Sequence, residues 1–147
     1  MQMKRLFTIL AVALGFVSCE LETSDNGDLD GFWLLTSVDT LATGGHLETR
    51  DSSLTWAFQG RILEIRRSTY RINECFICKF EHAGGTIRVY DIYQIARDKE
   101  EDPRVEDVSI LCKFGVNALD ERFRVVRLDD DTMILQSNGL QINFCKY

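Results

Sequence analysis

Short stretches in which apolar and polar residues alternate run through most of this chain, and they constrain its fold more than any other feature. Leu54, Trp56 and Phe58, for example, are separated by Thr55 and Ala57. Successive side chains of a β-strand point to opposite faces, so a period of two predicts strands with one buried face. Further stretches of this kind start at Trp33, Leu63, Phe76, Thr86, Phe123, Met133 and Leu140. The sequence therefore predicts about eight strands.

Turn residues between the stretches predict how the strands connect. Gly84-Gly85 follows one stretch, and Asn138-Gly139 lies between the last two, where it is a strong signal for a tight hairpin. Because hairpins join antiparallel neighbours, we expect an antiparallel sheet. Such a sheet of eight strands loses its free edges when it closes into an up-and-down barrel, so we predict an all-β barrel. A sandwich of two sheets is the alternative, because it also buries alternate side chains.

One segment departs from the period of two and predicts a short helix over residues 103–113. Asp102 is suited to cap its start, Pro103 is tolerated in a first helical turn, and Gly115 is a natural stop. The apolar residues of the segment lie mostly three or four apart, at Val105, Val108, Leu111 and Cys112. We expect this helix to cover one open end of the barrel.

The N-terminus has the pattern of an export signal. Lys4 and Arg5 precede an apolar stretch over residues 6–16. As a helix this stretch would measure roughly 16 Å, which is too short for a bilayer core of about 30 Å. The pattern therefore predicts a cleaved signal peptide over residues 1–18 rather than a membrane-spanning helix.

The end of this signal, Phe16-Val17-Ser18-Cys19, resembles the lipobox of bacterial lipoproteins. The resemblance implies cleavage before Cys19, lipidation of its thiol, and attachment to the outer membrane on its periplasmic or outer face. The alternative is a signal cut nearby that leaves Cys19 an ordinary thiol. Residues 19–29 are acidic and predict a solvated tether, which leaves residues 30–147 as the folded domain.

The tripeptide Gly31-Phe32-Trp33 at the start of the first strand has the G-x-W form of lipocalins. The resemblance implies that Trp33 closes the bottom of a small up-and-down barrel. The C-terminal stretches, including Phe123-Arg124-Val125 and Ile142-Asn143-Phe144, are similar to the ends of small lipocalin-like lipoproteins from gut anaerobes. Neither resemblance implies an activity.

The inward positions of the predicted strands are bulky and aromatic, and they form the candidate ligand site. The residues expected to line it are Trp56, Phe58, Phe76, Phe80 and Met133, with Tyr90 as a polar contact at the mouth. Parity places Tyr90 and Tyr93 on opposite faces. We therefore expect a binding module for a small apolar or amphipathic molecule. The alternative is a filled barrel that binds or inhibits a protein partner through residues 39–53 and 96–107.

Other classes of function find little support in the sequence. Neither His46 nor His82 belongs to a recognisable catalytic motif, so we expect no enzymatic activity. The three aspartates at residues 129–131 lack the ligand spacing of a calcium loop, and no nucleotide-binding motif is present, so we expect no metal and no cofactor. The formal net charge of −6 argues against nucleic acid, and we expect a monomer.

The cysteines allow one further prediction. Cys75 and Cys78 lie in one strand, where three residues separate their α-carbons by roughly 10 Å, whereas a disulfide requires less than about 7 Å. Parity places Cys75 and Cys145 outside the barrel and Cys78 inside, where Cys112 of the helix could meet it. Cys78 with Cys112 is therefore the favoured pair if a disulfide forms. Four reduced thiols are an equal alternative, and a zinc site is a weaker one because the second C-x-x-C is absent.

Overall fold

A computed structural model describes residues 24–147, which form nine strands and three 3-10 helices. The signal peptide predicted over residues 1–18 and the predicted lipidation site Cys19 lie outside the described residues. The strands are β1 (Gly31–Thr40), β2 (Gly45–Glu48), β3 (Leu54–Gln59), β4 (Ile62–Ser68), β5 (Asn73–Ala83), β6 (Thr86–Gln94), β7 (Glu121–Leu128), β8 (Thr132–Ser137) and β9 (Leu140–Lys146).

Eight of these strands close into an antiparallel barrel. β1 pairs with β3 along one edge and with β9 along the other, and each strand from β3 to β8 pairs with the next strand in the chain. This arrangement confirms the up-and-down barrel that the alternation and the turns predicted. A sandwich divides its strands between two sheets, whereas these pairings form one closed ring, so that alternative was wrong.

Strand β2 is the one strand of the nine that lies outside the closed ring. It pairs with the second half of β1, where Val38 opposes Leu47 and Asp39 opposes His46. All four of its residues are exposed. The sequence did not predict this strand because it has no buried face and hence no alternation of apolar and polar residues.

The bottom of the barrel is the end at which β1 begins, and Trp33 closes it. The Trp33 side chain is fully buried, and its Nε1 donates to the carbonyl of Leu29 at 2.8 Å. The 3-10 helix Gly27–Leu29 brings Leu29 beneath the sheet, where it is also fully buried. Residues 27–29, at the end of the tether predicted over residues 19–29, are therefore part of the folded domain.

The top of the barrel is covered by the connection between β6 and β7. Its 3-10 helix, Val108–Phe114, is called the plug helix below. A short helix was predicted over residues 103–113 and is present in that segment, but its predicted start at residue 103 was wrong. The backbone of Val105 donates instead to the carbonyl of Ile92, and that of Gln94 donates to Pro103, so residues 103–105 extend alongside β6. Asp107 rather than Asp102 caps the helix, because its carboxylate accepts from the backbone of Ser109.

A bulge in β6 changes which side chains point outward. Asp91 has a φ of 49° there, and the register between β5 and β6 shifts opposite Cys78. One extra residue restores Ile92 to the buried face, so Tyr93 is exposed and both tyrosines of β6 lie outside. The prediction that Tyr90 and Tyr93 face opposite sides was therefore wrong.

Candidate functional site

The five predicted lining residues inside the barrel all lie in one hydrophobic core. Their side chains are between 0% and 5% exposed. The rings of Trp56 and Phe144 have centroids 5.1 Å apart, and those of Phe58 and Phe80 are 5.0 Å apart. These distances are typical of aromatic rings in direct contact. The structure therefore brings Trp56, Phe58, Phe76, Phe80 and Met133 together on the inside of the barrel, where they form part of a packed core.

The burial of these side chains decides whether the barrel is hollow around them. A side chain that lined a cavity of ligand size would expose surface to that cavity. Trp56 and Met133 expose none, and Phe76 exposes 1%. The space that a barrel of eight strands could offer a ligand is thus occupied here by the protein's own side chains.

The plug helix completes this packing from the top. The Phe114 ring lies 5.5 Å from that of Phe76, nearly edge to face, and the Phe114 carbonyl accepts from Trp56 Nε1 at 3.1 Å. Gly115 then turns the chain with a φ of 86°, and Ile142 occupies the space that a β-carbon at this position would need. Sequence reasoning missed Phe114, although the spacing of three from Val108 to Leu111 to Phe114 would have indicated it.

A buried carboxylate fixes residues 115–120, which connect the plug helix to β7 and are called the plug segment below. Glu121 is 2% exposed, and its Oε2 accepts from the backbone of Asn117 at 2.6 Å and of Ala118 at 3.2 Å. Its Oε1 accepts from Ser137 Oγ at 2.8 Å and from Asn138 Nδ2 at 3.2 Å. Four donors therefore satisfy the carboxylate, and it ties the plug segment to the turn between β8 and β9.

Tyr90 does not join the interior residues. Its hydroxyl donates to Glu81 on the outer face at 3.1 Å, and the Arg88 guanidinium lies 4.5 Å from its ring centroid. Burial and the neighbouring carboxylate raise the pKa of the Tyr90 hydroxyl. The assignment of Tyr90 to the ligand site was therefore wrong, because the buried positions of β6 are Ile87, Val89 and, beyond the bulge, Ile92.

A recess of about 500 Å³ opens on the outer surface beside the upper parts of β4, β5 and β6. Arg66, Asn73, Cys75, Gln94 and residues 95–99 line it. The sequence singled out residues 96–107 as a surface for a protein partner, but it gave no signal that this segment meets Arg66 and Cys75, because those residues lie on distant strands.

The comparison that decides the family concerns nearly the whole chain. A family model described as a lipocalin-like domain matches residues 14–147. The chain belongs to the lipocalin-like domain family.

Two solved structures share this lipocalin-like fold. One is a crystal structure of a lipocalin-like protein from Bacteroides uniformis, with a TM-score of 0.63 and 20% sequence identity over 82% of this chain and 100% of that one. The other is a crystal structure of an uncharacterized protein from Bacteroides eggerthii, with a TM-score of 0.63 and 18% identity over 81% of this chain and 99% of that one. No curated protein matches the chain. At these identities the likeness shows the fold.

The four described cysteines of the lipocalin-like domain are free thiols. Cys78 is buried, and burial raises the pKa of its thiol to about 12. Cys112 is exposed, and its thiol lies 3.6 Å from the carbonyl of Val108. The structure therefore does not bring the favoured pair, Cys78 and Cys112, together. A 3-10 helix has three residues per turn, so Leu111 and Phe114 face the core while Cys112 points away.

The described part of the lipocalin-like domain, residues 24–147, contains neither a candidate metal-binding cluster nor a candidate membrane-spanning helix. No group of three or more His, Cys, Asp and Glu side chains in that range is arranged to hold a metal ion. In the same part of the chain, no helix is both long and apolar enough to cross a membrane.

Proposed function

We propose that the chain is a non-enzymatic, lipid-anchored binding module of the cell envelope, and that it binds a protein partner on the outside of its barrel. The observation that carries this proposal is the packed interior. Trp56, Phe58 and Phe76 contact other core side chains, so the ligand pocket that a hollow barrel would offer is filled. A partner would then bind to the outer surface and the loops.

Strand β2 is the part of the outer surface best suited to a protein partner. Among the described residues it pairs only with β1, so its second edge presents backbone donors and acceptors. Leu47 on β2 is 63% exposed, and Leu41 just before it is 51% exposed. An extended polypeptide segment could add to this edge and cover both leucines. This surface lies within residues 39–53, one of the two segments that the sequence favours for a partner.

Site-specific photo-crosslinking tests this proposal in the native envelope. A photoreactive residue at position 47 or 41 should give the same adduct, of one defined mass. The matched control is position 126 on β7, where Val126 is also an exposed apolar residue, at 43%. Absence of an adduct at 47 and 41, or equal adducts at all three positions, would contradict the proposal.

A small apolar or amphipathic ligand inside the barrel is the second candidate. The observation that favours it is the construction of the top, where a single connection with the plug helix covers the core. Movement of Phe114 away from Phe76 would open a path to Trp56 and the other aromatic residues. Burial of the ligand's apolar surface would then contribute about 25 cal/mol per Å² before the costs of opening.

Titration with a neutral naphthylamine fluorophore separates the two candidates. The filled barrel predicts no saturable binding. The second candidate predicts saturable binding at one site per molecule. A disulfide or another cross-link that holds the plug helix in place should weaken this binding.

Lipid anchoring rests on the resemblance of residues 16–19 to a lipobox. We expect metabolic labelling with a fatty-acid analogue to depend on Cys19, and a Cys19→Ser variant to leave the membrane fraction. Labelling that persists in Cys19→Ser would contradict the anchor.

A further inference from the structure

The outer recess of about 500 Å³ has walls that hydrogen bonds hold in place. The backbone of Ile95 donates to the carbonyl of Cys75 at 2.9 Å, which fastens residues 95–99 to β5. The carboxylate of Asp102 accepts from the backbone of Ala96 at 2.9 Å, and Lys99 donates from its backbone to the carbonyl of Ala96 at 3.1 Å. The segment is therefore a fixed turn against the barrel wall.

The charged side chains of the recess favour an anion. Arg66, Arg97 and Lys99 contribute three positive charges to its lining, and Asp98 contributes one negative charge. This excess stands out on a chain whose formal net charge is −6. Within the lining itself, positive charges therefore outnumber negative ones, and such an excess attracts anions.

The three cations are not equally available to a ligand. Arg66 is already paired with Glu64, with its Nε 3.0 Å from the carboxylate. Arg97 and Lys99, by contrast, form no ion pair with any residue in the part of the chain described by the structure. Both are exposed. Binding of an anion would therefore depend mainly on Arg97 and Lys99. Arg66 would line the recess while it stays paired with Glu64.

Size and chemistry narrow the class of ligand. The volume falls within the roughly 300–1,000 Å³ of typical small-molecule sites. The amide side chains of Asn73 and Gln94 offer further donors and acceptors. Burial raises the pKa of the Cys75 thiol, which lowers its reactivity as a nucleophile. The chemistry of the recess is thus that of reversible binding.

We propose that this recess binds a small organic anion that carries a phosphate or carboxylate group. The site lies outside the barrel and none of its lining residues belongs to β2, so it goes beyond the proposed function and requires neither an interior ligand nor a protein partner.

Calorimetric titration of the full-length protein in a non-ionic detergent tests the proposal, with inorganic pyrophosphate and citrate as probes and glucose as the neutral control. At least one anion should bind, and glucose should not. The Arg97→Gln/Lys99→Gln double variant should weaken that binding by about tenfold or more. Addition of salt should weaken it further. Binding of pyrophosphate alone assigns a phosphate ligand, whereas binding of citrate assigns a carboxylate ligand.

A variant with the same change of charge elsewhere provides the control. Arg61 lies in the turn at the bottom of the barrel and Arg122 on β7, and both are exposed. Arg61→Gln/Arg122→Gln should bind the anion as the parent does. If neither anion binds, or if both double variants lose binding equally, the proposal is overturned.

Cys75 offers a second readout of occupancy. In a Cys112→Ser/Cys145→Ser background, a saturating concentration of the bound anion should slow alkylation of Cys75 by a neutral reagent at least threefold. An unchanged rate at saturation would place the anion outside the recess.

Discussion

Trp33 holds the bottom of the barrel closed through three different interactions. It is fully buried, it donates to the Leu29 carbonyl, and the Lys146 ammonium lies 4.6 Å from its ring centroid. The ammonium in turn donates to the carbonyl of Asp28 at 2.7 Å. The residues before β1 are thereby fastened to the end of β9.

Replacement of Trp33 by Phe should lower the free energy of unfolding by about 1–3 kcal/mol. The change removes a buried hydrogen bond and weakens the cation–π contact while it keeps an aromatic ring. Urea denaturation followed by circular dichroism measures the effect. Phe32→Leu is the matched control, because Phe32 is 59% exposed and should change the stability by less than about 0.5 kcal/mol. Equal effects of the two changes would contradict this role of Trp33.

Cys78 should stay unreactive in the folded protein. Burial raises the pKa of its thiol to about 12, so it carries almost no thiolate at pH 8. Iodoacetamide at pH 8 should modify exposed Cys112 and leave Cys78 unmodified until denaturant is added, as peptide mass spectrometry would show. Modification of Cys78 at the rate of Cys112 would refute its burial.

The same raised pKa fixes the direction of a pH effect. An unfolded thiol ionises near pH 8.5, so between about pH 9 and pH 12 the unfolded state releases a proton that the folded state retains. The contribution of Cys78 to the free energy of unfolding is therefore present below about pH 8.5 and declines as the pH rises. A Cys78→Ala variant should lose less stability than the parent over that range. Identical pH profiles would contradict this linkage.

At the scale of elements, the plug helix depends on the close approach of Gly115 to β9. Its φ of 86° favours glycine, and a β-carbon there would lie 2.8 Å from Ile142 Cδ1. Gly115→Ala should therefore lower the free energy of unfolding by about 2–4 kcal/mol, through backbone strain and overpacking together.

The turn glycine Gly84 provides the control for this prediction. Its φ is 57°, but nothing lies within 4 Å of the position of an added β-carbon. Gly84→Ala should thus destabilise by about 1 kcal/mol, from the backbone alone. Thermal unfolding of both variants measures the difference, and a cost at Gly84 as large as that at Gly115 would contradict the packing against Ile142.

Glu121 should control how readily the plug segment opens. Glu121→Gln places an amide nitrogen where donors already point, so one or two hydrogen bonds are lost at a cost of about 1–3 kcal/mol. Hydrogen exchange of the Asn117 and Ala118 amides should become faster than in the parent. Glu100→Gln, a change at an exposed position, should leave both rates as they are. Unchanged exchange in Glu121→Gln would show that the carboxylate does not hold the segment.

The sequence predicted the strands that bury one face in the core. It did not predict the strand that has no buried face. The alternation of Trp56 and Phe58 with their neighbours predicted β3, whereas β2 has four exposed residues and leaves no such pattern. The apolar spacing around residues 103–113 indicated a helix, but pairing of residues 103–105 with β6 prevailed over it. Parity failed beyond Asp91, because a bulge cannot be read from apolar spacing.

At the scale of the whole molecule, the barrel is closed at both ends and filled between them. Trp33 and Leu29 close the bottom, Phe114 and Leu111 close the top, and all four are fully buried. The sequence indicated which residues would face inward but not whether they would leave a cavity, because that depends on the distances between rings on different strands. The outer recess was equally beyond prediction, since residues 95–99 reach Arg66 only through the fold.

A crystal structure of the protein purified from its native host tests the central claim, that the interior is filled by its own side chains, most directly. The account predicts the rings of Trp56 and Phe144 about 5.1 Å apart, Phe114 seated against Phe76, and no foreign electron density between them. Density for an apolar molecule between Trp56 and Phe80, with Phe114 displaced from the top of the barrel, would contradict it.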